Sequence, residues 1–341
     1  MMRSRIGSAL IISLCFSVPV FAAGGAKPSK TNPPQRTAAK GSATKPTAKA
    51  SAPVAPSQSA AKTAVDEVPQ AGTKSYKLRY KFNAGEILRW EVEHRVRVRT
   101  TISGSTQTAE TLSDSTKQWK VGSVDAKGNA TLVHSVEHVA MWQKSDGRQE
   151  TRYDSKTDTV PPPIYENVAK SVGVPLVELT LDTLGMVVKR EERFPQTTPL
   201  PEHVTMPLPE NAIAVGEEWT IPSDISINLP AQQINKKIKA RQLYRLDSVD
   251  DDLATIRMET QILTPVNDPV IESQLVQAKT NGTVRFDIAA GRILSQQSDI
   301  DEQVAGFQGL GSNMHYVMRF TEKLLPEESR TALGPQSARK K

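Results

Sequence analysis

Three side chains, His134, Glu137 and His138, have the His-x-x-Glu-His spacing that binds zinc in inverted zinc metallopeptidases. In those enzymes a helix carries the motif and places both histidines on one face. Here the apolar residues Leu132, Val133, Val136 and Val139 surround the motif and hairpin turns lie on both sides, so we predict a strand. Histidines four residues apart on a strand stand about 13 Å from each other, at roughly 3.3 Å per residue, and one zinc ion cannot bind both. The sequence therefore predicts no metal site here.

Three arginines, Arg95, Arg97 and Arg99, occupy alternate positions of a second predicted strand. Alternate side chains of a strand lie on one face, so these guanidinium groups would form an exposed stripe suited to phosphate or carboxylate ligands. The next hairpin would also bring Glu110 and Asp114 near the stripe, where cross-strand ion pairs are ordinary surface chemistry. The stripe is therefore a candidate anion-binding patch, with surface ion pairing as the alternative interpretation.

No other combination of residues predicts catalysis or a cofactor. Glu86 and Glu217 each follow a glycine that turns the chain into a strand, so we interpret them as turn residues. The glycine-rich segment 306–311 lacks the lysine and the following helix of a phosphate-binding loop, so we interpret it as a hairpin end. No Ser-His-Asp set can be assembled from spacing. We expect no catalytic residue and no cofactor.

The framework that must position these residues occurs twice in the chain. Three kinds of marker recur in one order: a Gly-Glu pair before a tryptophan, a Ser-Val-Asp turn leading into an Ala-Thr segment, and an Asp-x-x-Gly turn. In the first copy the markers are Gly85, Glu86, Trp90, 123–125, 130–132 and 182–185. In the second copy they are Gly216, Glu217, Trp219, 248–250, 254–256 and 287–291, and the last of these turns has one residue inserted. This order indicates an internal duplication.

We predict a mainly β protein of the α+β type, with two tandem related antiparallel meanders of long curved strands and one or two short helices. The first strand is predicted at 76–82, where apolar and polar residues alternate strictly. In the second copy, strands are predicted at 218–221, 225–229, 234–246, 253–263, 283–288, 292–300 and 314–324, while residues 269–280 fit a helix or a strand.

A short helix is predicted within residues 161–173, because Ile164, Val168 and Val172 recur at helical spacing and Gly173 ends the run. The second copy has no obvious counterpart, so we expect the two copies to form related sheets that differ at this helix. We also expect the helix to cover the concave face of the first sheet. Side chains are expected to fill the space beneath it, and an apolar cavity is the alternative.

Composition divides the chain into six parts. They are a signal peptide at 1–23, a disordered Ala/Pro/Lys-rich tether at 24–75, β repeat 1 at 76–193, a Pro-rich linker at 194–210, β repeat 2 at 211–326, and a disordered basic tail at 327–341.

The signal peptide prediction rests on Arg3 and Arg5, an apolar run over 6–20, and the small-x-small pattern over 20–22. The run is shorter than the roughly 20 residues of a spanning helix. Cys15, the only cysteine, lies inside it, so the mature chain would contain neither disulfides nor thiolate sites. We expect an exported protein, periplasmic or extracellular, with no membrane span after cleavage.

The excess positive charge lies in the termini rather than in the predicted repeats. Residues 1–75 and 327–341 hold 14 of the 43 basic residues and 4 of the 37 acidic ones, which leaves 29 basic and 33 acidic residues in 76–326. A nucleic-acid-binding domain would concentrate basic residues on its folded surface. We therefore expect no nucleic acid partner.

Over about residues 76–326, the duplicated markers resemble an uncharacterised family of secreted β-rich proteins from planctomycete-type bacteria. This resemblance implies export and a repeated sheet, and it supplies no active residue. Long curved antiparallel strands with a helix in each repeat are also similar to the lipoprotein-carrier fold, in which a sheet wraps an apolar cavity.

These observations favour an exported cell-envelope protein that is a noncatalytic binding or scaffold module for an unknown envelope component. Two alternatives stay open. One is a periplasmic carrier of an apolar, lipid-like ligand, and the other is a secreted hydrolase, which would need a nucleophile or paired acids held in a pocket.

The arginine stripe can be tested by reversing Arg95, Arg97 and Arg99 together to glutamate. If the stripe is surface ion pairing, association of the protein with the cell envelope should be unchanged, as measured by fractionation of the host. Loss of association by a variant with native circular dichroism would instead make the stripe the binding site.

Overall fold

The computed structural model describes residues 74–195 and 202–326. The predicted signal peptide, nearly all of the predicted tether and the predicted tail lie outside the described residues. The strands up to the linker are β1 (Ser75–Tyr76), β2 (Ile87–Ile102), β3 (Ser105–Val124), β4 (Ala130–Ser145), β5 (Thr151–Asp154), β6 (Pro175–Leu181) and β7 (Val187–Glu192). Those after it are β8 (Ile213–Ala214), β9 (Glu218–Pro222), β10 (Ile225–Leu229), β11 (Ile234–Ile238), β12 (Ala240–Asp250), β13 (Leu253–Ile262), β14 (Asn281–Asp287), β15 (Arg292–Ala305) and β16 (Asn313–Leu324).

The helices are short. They are α1 (Glu166–Ser171) and α2 (Pro269–Leu275), with single 3-10 turns at Pro163–Tyr165, Pro230–Gln232 and Val276–Ala278. In residues 74–195 and 202–326, no helix is both long and apolar enough to cross a bilayer. The mainly β prediction with short helices is confirmed.

One large antiparallel sheet contains both repeats, in the order β7-β6-β4-β3-β2-β16-β15-β14-β13-β12-β9, with β5 paired to β4. We expected two related sheets, one for each repeat. They are continuous because β16, a strand added after the second meander, pairs with β2 over twelve residues. The sheet stays open, and its two ends are the edge strands β7 and β9.

The duplication is visible in backbone hydrogen bonds. In the first repeat Gly85 N donates to Val121 O and Val121 N donates to Glu86 O, both at 2.9 Å. In the second, Gly216 N donates to Leu246 O at 2.7 Å, and Leu246 N donates to Glu217 O at 3.1 Å. Each glutamate carboxylate also accepts the amide three residues before it. The two Gly-Glu turns are therefore built alike.

β-Bulges occur at matching positions as well. The register shifts between Val121 and Ser123 in the first repeat and between Leu246 and Ser248 in the second. A second pair of shifts precedes the Asp-x-x-Gly turns, at residues 180–181 and 285–286. Because a bulge bends its strand and increases local twist, the two meanders bend at the same places.

The helix prediction was wrong for the second repeat. Helix α2 lies between β13 and β14, where α1 lies between β4 and β6 in the first repeat, so the ambiguous segment 269–280 is helical at its start. Asp268 caps α2 by accepting the amide of Val270 at 2.9 Å, and Pro269 occupies the first turn. Each repeat therefore carries a helix at the same point of its meander.

Helix α1 does not cover the face predicted for it. Ile164 lies before the helix and is exposed, while Val168 packs with Tyr153, Tyr165 and Leu176 in a small cluster beside β4 and β6. The concave face carrying Trp90 belongs to a different and larger core cluster.

That face is covered by the N-terminal segment, defined here as residues 77–84, which was wrongly predicted as a strand. Its alternation is real, because Leu78, Tyr80 and Phe82 are buried. Its amides bond to turns instead of a ladder: Tyr80 N donates to Thr183 O at 2.8 Å, and Lys81 N donates to Gly291 O at 2.9 Å. These acceptors lie in the two equivalent Asp-x-x-Gly turns, so one extended segment joins both repeats.

All eleven strands of the main path contribute side chains to this core cluster, so the sheet curves around it. The second half of the predicted linker also enters the core, since Val204, Met206 and Leu208 are buried. Tyr80 fixes the two pieces to each other, because its hydroxyl bonds to Thr205 Oγ1 at 2.8 Å and donates to Met206 O at 2.9 Å. The linker therefore packs as a structural element.

The contact between the N-terminal segment and the turns can be tested with Gly291→Ala. A Cβ at Gly291 would lie 2.7 Å from Arg79 O and 2.5 Å from the Lys81 side chain, at a φ of 63°. Gly147→Ala is the control, because Gly147 has a φ of 71° and nothing within 4 Å of a Cβ. Both lose about 1–2 kcal/mol to the left-handed backbone, and Gly291→Ala should lose about 1–3 kcal/mol more to overpacking. Equal urea midpoints for the two variants would contradict the contact.

Candidate binding site

The His-x-x-Glu-His segment lies on strand β4, as predicted, and the ladder with β3 has a bulge within it, opposite residues 116–117. His134 is fully buried on the core side. Glu137 is bonded by the Arg89 guanidinium at 2.8 and 3.0 Å, and His138 Nε2 lies 3.0 Å from Asp154 Oδ1. Burial lowers the pKa of His134 to about 3, which favours its neutral form. Each of the three side chains thus has a structural setting of its own.

Among the described residues, no group of three or more His, Cys, Asp or Glu side chains is arranged to hold a metal ion. The two Gly-Glu carboxylates lie in turns, as predicted for Glu86 and Glu217. Glu86 also forms an ion pair with Arg292 at the start of β15, which links the first repeat to the second. Residues 306–311 form the end of the β15–β16 hairpin, where Leu310 is fully exposed.

The arginine stripe lies on the sheet face away from the core, and two of its three members make ion pairs. Arg97 Nε lies 3.2 Å from Glu110, its cross-strand partner, and Arg95 lies 3.5 Å from Glu93. The side chains of Arg95 and Arg97 are more than half exposed, so these pairs contribute little to stability. An anion-binding role for Arg95, Arg97 and Arg99 stays a prediction.

The same outer face also carries a depression of about 510 Å³, which is lined by polar and charged residues. Glu91, Glu93 and Asp114 line one side, and Arg285 and Lys323 are among the groups on the others. Burial raises the pKa of Asp114, and the neighbouring Glu93 raises it further. Acid–base hydrolysis uses neighbouring carboxyl groups of which one has a raised pKa, so a secreted hydrolase would place its chemistry here.

Sequence patterns did not reveal a buried polar cluster inside the sheet. The Lys117 ammonium contacts the Glu322 carboxylate, and the Gln296 amide donates to the same carboxylate. The Lys117 Nζ atom lies 4.7 Å from the Trp90 ring centroid and 5.1 Å from that of Trp119, close enough for cation–π attraction. Lys117 could be assigned to the inner face from its period-two relation to Trp119. Its partner lies in the last strand of the second repeat, and no local pattern joins them.

The space beside this cluster is small. The interior cavity between the cluster, Tyr80 and Phe82 measures about 20 Å³, roughly the space of one water molecule. The expected filling of the sheet by side chains is therefore observed, although the N-terminal segment provides it instead of α1. A lipid chain does not fit in this cavity.

A site with a mainly apolar lining lies at the open end of the sheet. A groove of about 460 Å³ runs between β9, the turn before β7 and the segment 208–213. We call it the edge groove, and its apolar lining consists of Leu184, Met186, Leu208, Ile213, Trp219 and Ile221. Three exposed glutamates, Glu210, Glu217 and Glu218, stand at its rim.

The lining of the edge groove is held rigidly. Trp219 stacks on Tyr244 with ring centroids 5.2 Å apart, and its indole Nε1 donates to Pro207 O at 3.0 Å. Leu208 N donates to Leu184 O at 2.9 Å, which fastens the linker to the turn before β7. The sequence marked Trp219 only as one of the repeated markers and segment 194–210 only as a linker, so the groove was missed. The groove forms because Trp219 and this linker meet at the open end of the sheet, where β7 and β9 are not paired with each other.

Comparisons with known proteins give no family. No protein-family model matches the chain, and no curated protein matches it by sequence. A solved structure described as showing lipid–protein interactions in lipovitellin is weakly similar, with a TM-score of 0.42 and 12% identity. The match covers 72% of this chain and 26% of that one, so the chain spans about a quarter of its length.

The buried ion pair predicts strong coupling between Lys117 and Glu322. Lys117→Met leaves an uncompensated carboxylate in the core and should lower the free energy of unfolding by about 3–5 kcal/mol. The double variant Lys117→Met/Glu322→Gln should recover most of this loss, because the substituted amide is uncharged and its oxygen still accepts from Gln296. Urea unfolding of the single and double variants measures the coupling. Additive losses would show that the two side chains do not interact in solution.

Proposed function

We propose that this protein is an exported, noncatalytic binding module of the cell envelope, and that the edge groove holds its ligand. The observation that carries the proposal is the groove itself. Its volume of about 460 Å³ falls within the range of roughly 300–1,000 Å³ typical of small-molecule sites, and its lining is mainly apolar. The Trp219 ring is held by its stacking on Tyr244 and its bond to Pro207 O before any ligand arrives, which reduces the entropy lost on binding.

Export is part of the proposal and is supported by the sequence of the first 23 residues. Membership of the secreted β-rich family that the sequence resembles is also part of it, supported by the duplicated framework. The same signal supports a destination outside the cytoplasm, either the periplasm or the cell exterior.

The edge groove also suits the second candidate, a carrier of an apolar, lipid-like ligand. The apolar lining would accept an acyl chain as readily as the apolar side chains of a partner protein. Such a ligand would not enter the interior cavity beside Lys117, which measures only about 20 Å³. A carrier of this kind would shield only part of a lipid from water.

The groove can be tested with the neutral apolar dye Nile red and two matched lysine substitutions. Met186 lines the groove and is 36% exposed, whereas Val188, two residues along, is 63% exposed and lies outside the lining. Met186→Lys should weaken dye binding by about tenfold or more, because the ligand would have to desolvate a charge. Val188→Lys should bind the dye like the unmodified protein.

Fluorescence titration measures both affinities, and circular dichroism confirms that both variants fold. No dye binding by the unmodified protein would refute the proposed function. Equal dye affinities of the two variants would show that the dye binds elsewhere on the molecule. Native mass spectrometry of protein purified from its own host would separate the two candidates, since a co-purifying amphiphile identifies a carrier.

A further inference from the structure

The exposed edge of β9 adds backbone groups to the edge groove. Among the residues that the structure describes, strand β9 pairs only with β12 and ends the sheet. Glu217 O accepts from Leu246 at one end of their ladder, and Ser223 N donates to Ala240 O at the other. Hydrogen-bonding direction alternates along an antiparallel strand, so the odd-numbered residues of β9 bond to β12. Glu218 and Thr220 therefore direct their backbone groups away from the sheet.

The side chains of β9 alternate between the two faces of the sheet. Trp219 stacks on the buried Tyr244 and so faces the core side, where the apolar lining of the groove lies. Glu218 and Thr220 are exposed. A strand added to this edge would direct every second side chain towards the apolar lining and the others towards solvent beside Glu218.

The charge at the rim restricts which strand fits. Glu210, Glu217 and Glu218 are exposed around the groove, and no basic side chain belongs to its lining. Cross-strand pairs of opposite charge stabilise a sheet, while like charges placed opposite each other destabilise it. An added strand with lysine or arginine at its solvent-facing positions is therefore favoured over one with acidic residues.

We propose that the ligand of the edge groove is an extended polypeptide segment of alternating apolar and basic residues, which binds by adding a strand to β9. This inference rests on the proposed function, because it uses the same groove. Main-chain hydrogen bonds from Glu218 and Thr220 supply affinity, and the apolar lining with its acidic rim supplies specificity.

The backbone contribution can be removed without substituting any residue of the apolar lining. Thr220→Pro deletes an amide that faces away from the sheet, and proline is tolerated at such edge positions. Thr220→Val is the matched control, because it removes the hydroxyl and keeps the amide. The probe is the synthetic peptide acetyl-Lys-Val-Lys-Val-Lys-Val-amide, compared with its Glu-Val counterpart by isothermal titration calorimetry on the full chain.

The unmodified protein and Thr220→Val should bind the basic peptide equally, and Thr220→Pro should bind it about tenfold more weakly or worse. All three should bind Nile red alike, which shows that the groove is intact. Equal peptide binding by Thr220→Pro, or equal binding of the acidic peptide, would overturn the inference. Dye binding without peptide binding would do the same and leave the proposed function standing, whereas absence of both would refute the proposed function.

Discussion

The fold depends on one constraint: the concave apolar face of a long open sheet has to be covered, and the chain covers it with its own N-terminal segment. Leu78, Tyr80 and Phe82 enter the core from this segment, and the amides of Tyr80 and Lys81 bond to one turn of each repeat. Without these side chains the large rings of the sheet interior would lose their packing partners. The same segment therefore fills the core and fastens the two repeats to each other.

Duplication explains why one segment can both fill the core and fasten the two repeats to each other. Each meander ends in an Asp-x-x-Gly turn at an equivalent position, so the sheet presents two similar carbonyl acceptors to a chain that passes between them. The repeats are then made continuous by β16, which has no counterpart in the first copy, and by the buried pair of Lys117 with Glu322 across that junction. The sheet ends without closing, and its two free edges leave the groove that we propose as the binding site.

Local patterns predicted most of the architecture. Alternation located the buried face of residues 76–82 and most strands of the second repeat, because period two depends on neighbouring residues only. The sequence failed where distant partners decide the structure. Residues 76–82 alternate like a strand, but the acceptors of their amides are Thr183 O and Gly291 O, far along the chain in both repeats, so their pairing could not be anticipated. The edge groove was missed for the same reason, since it needs Trp219, Leu208 and Leu184 to meet.

Amide hydrogen exchange on the full chain tests whether the N-terminal segment is an integral part of the core. We expect the Tyr80 and Lys81 amides to exchange as slowly as the most protected amides of β2 and β15, because they open only when the whole core unfolds. Exchange of these two amides at rates typical of exposed loops, with β2 and β15 still protected, would contradict this expectation.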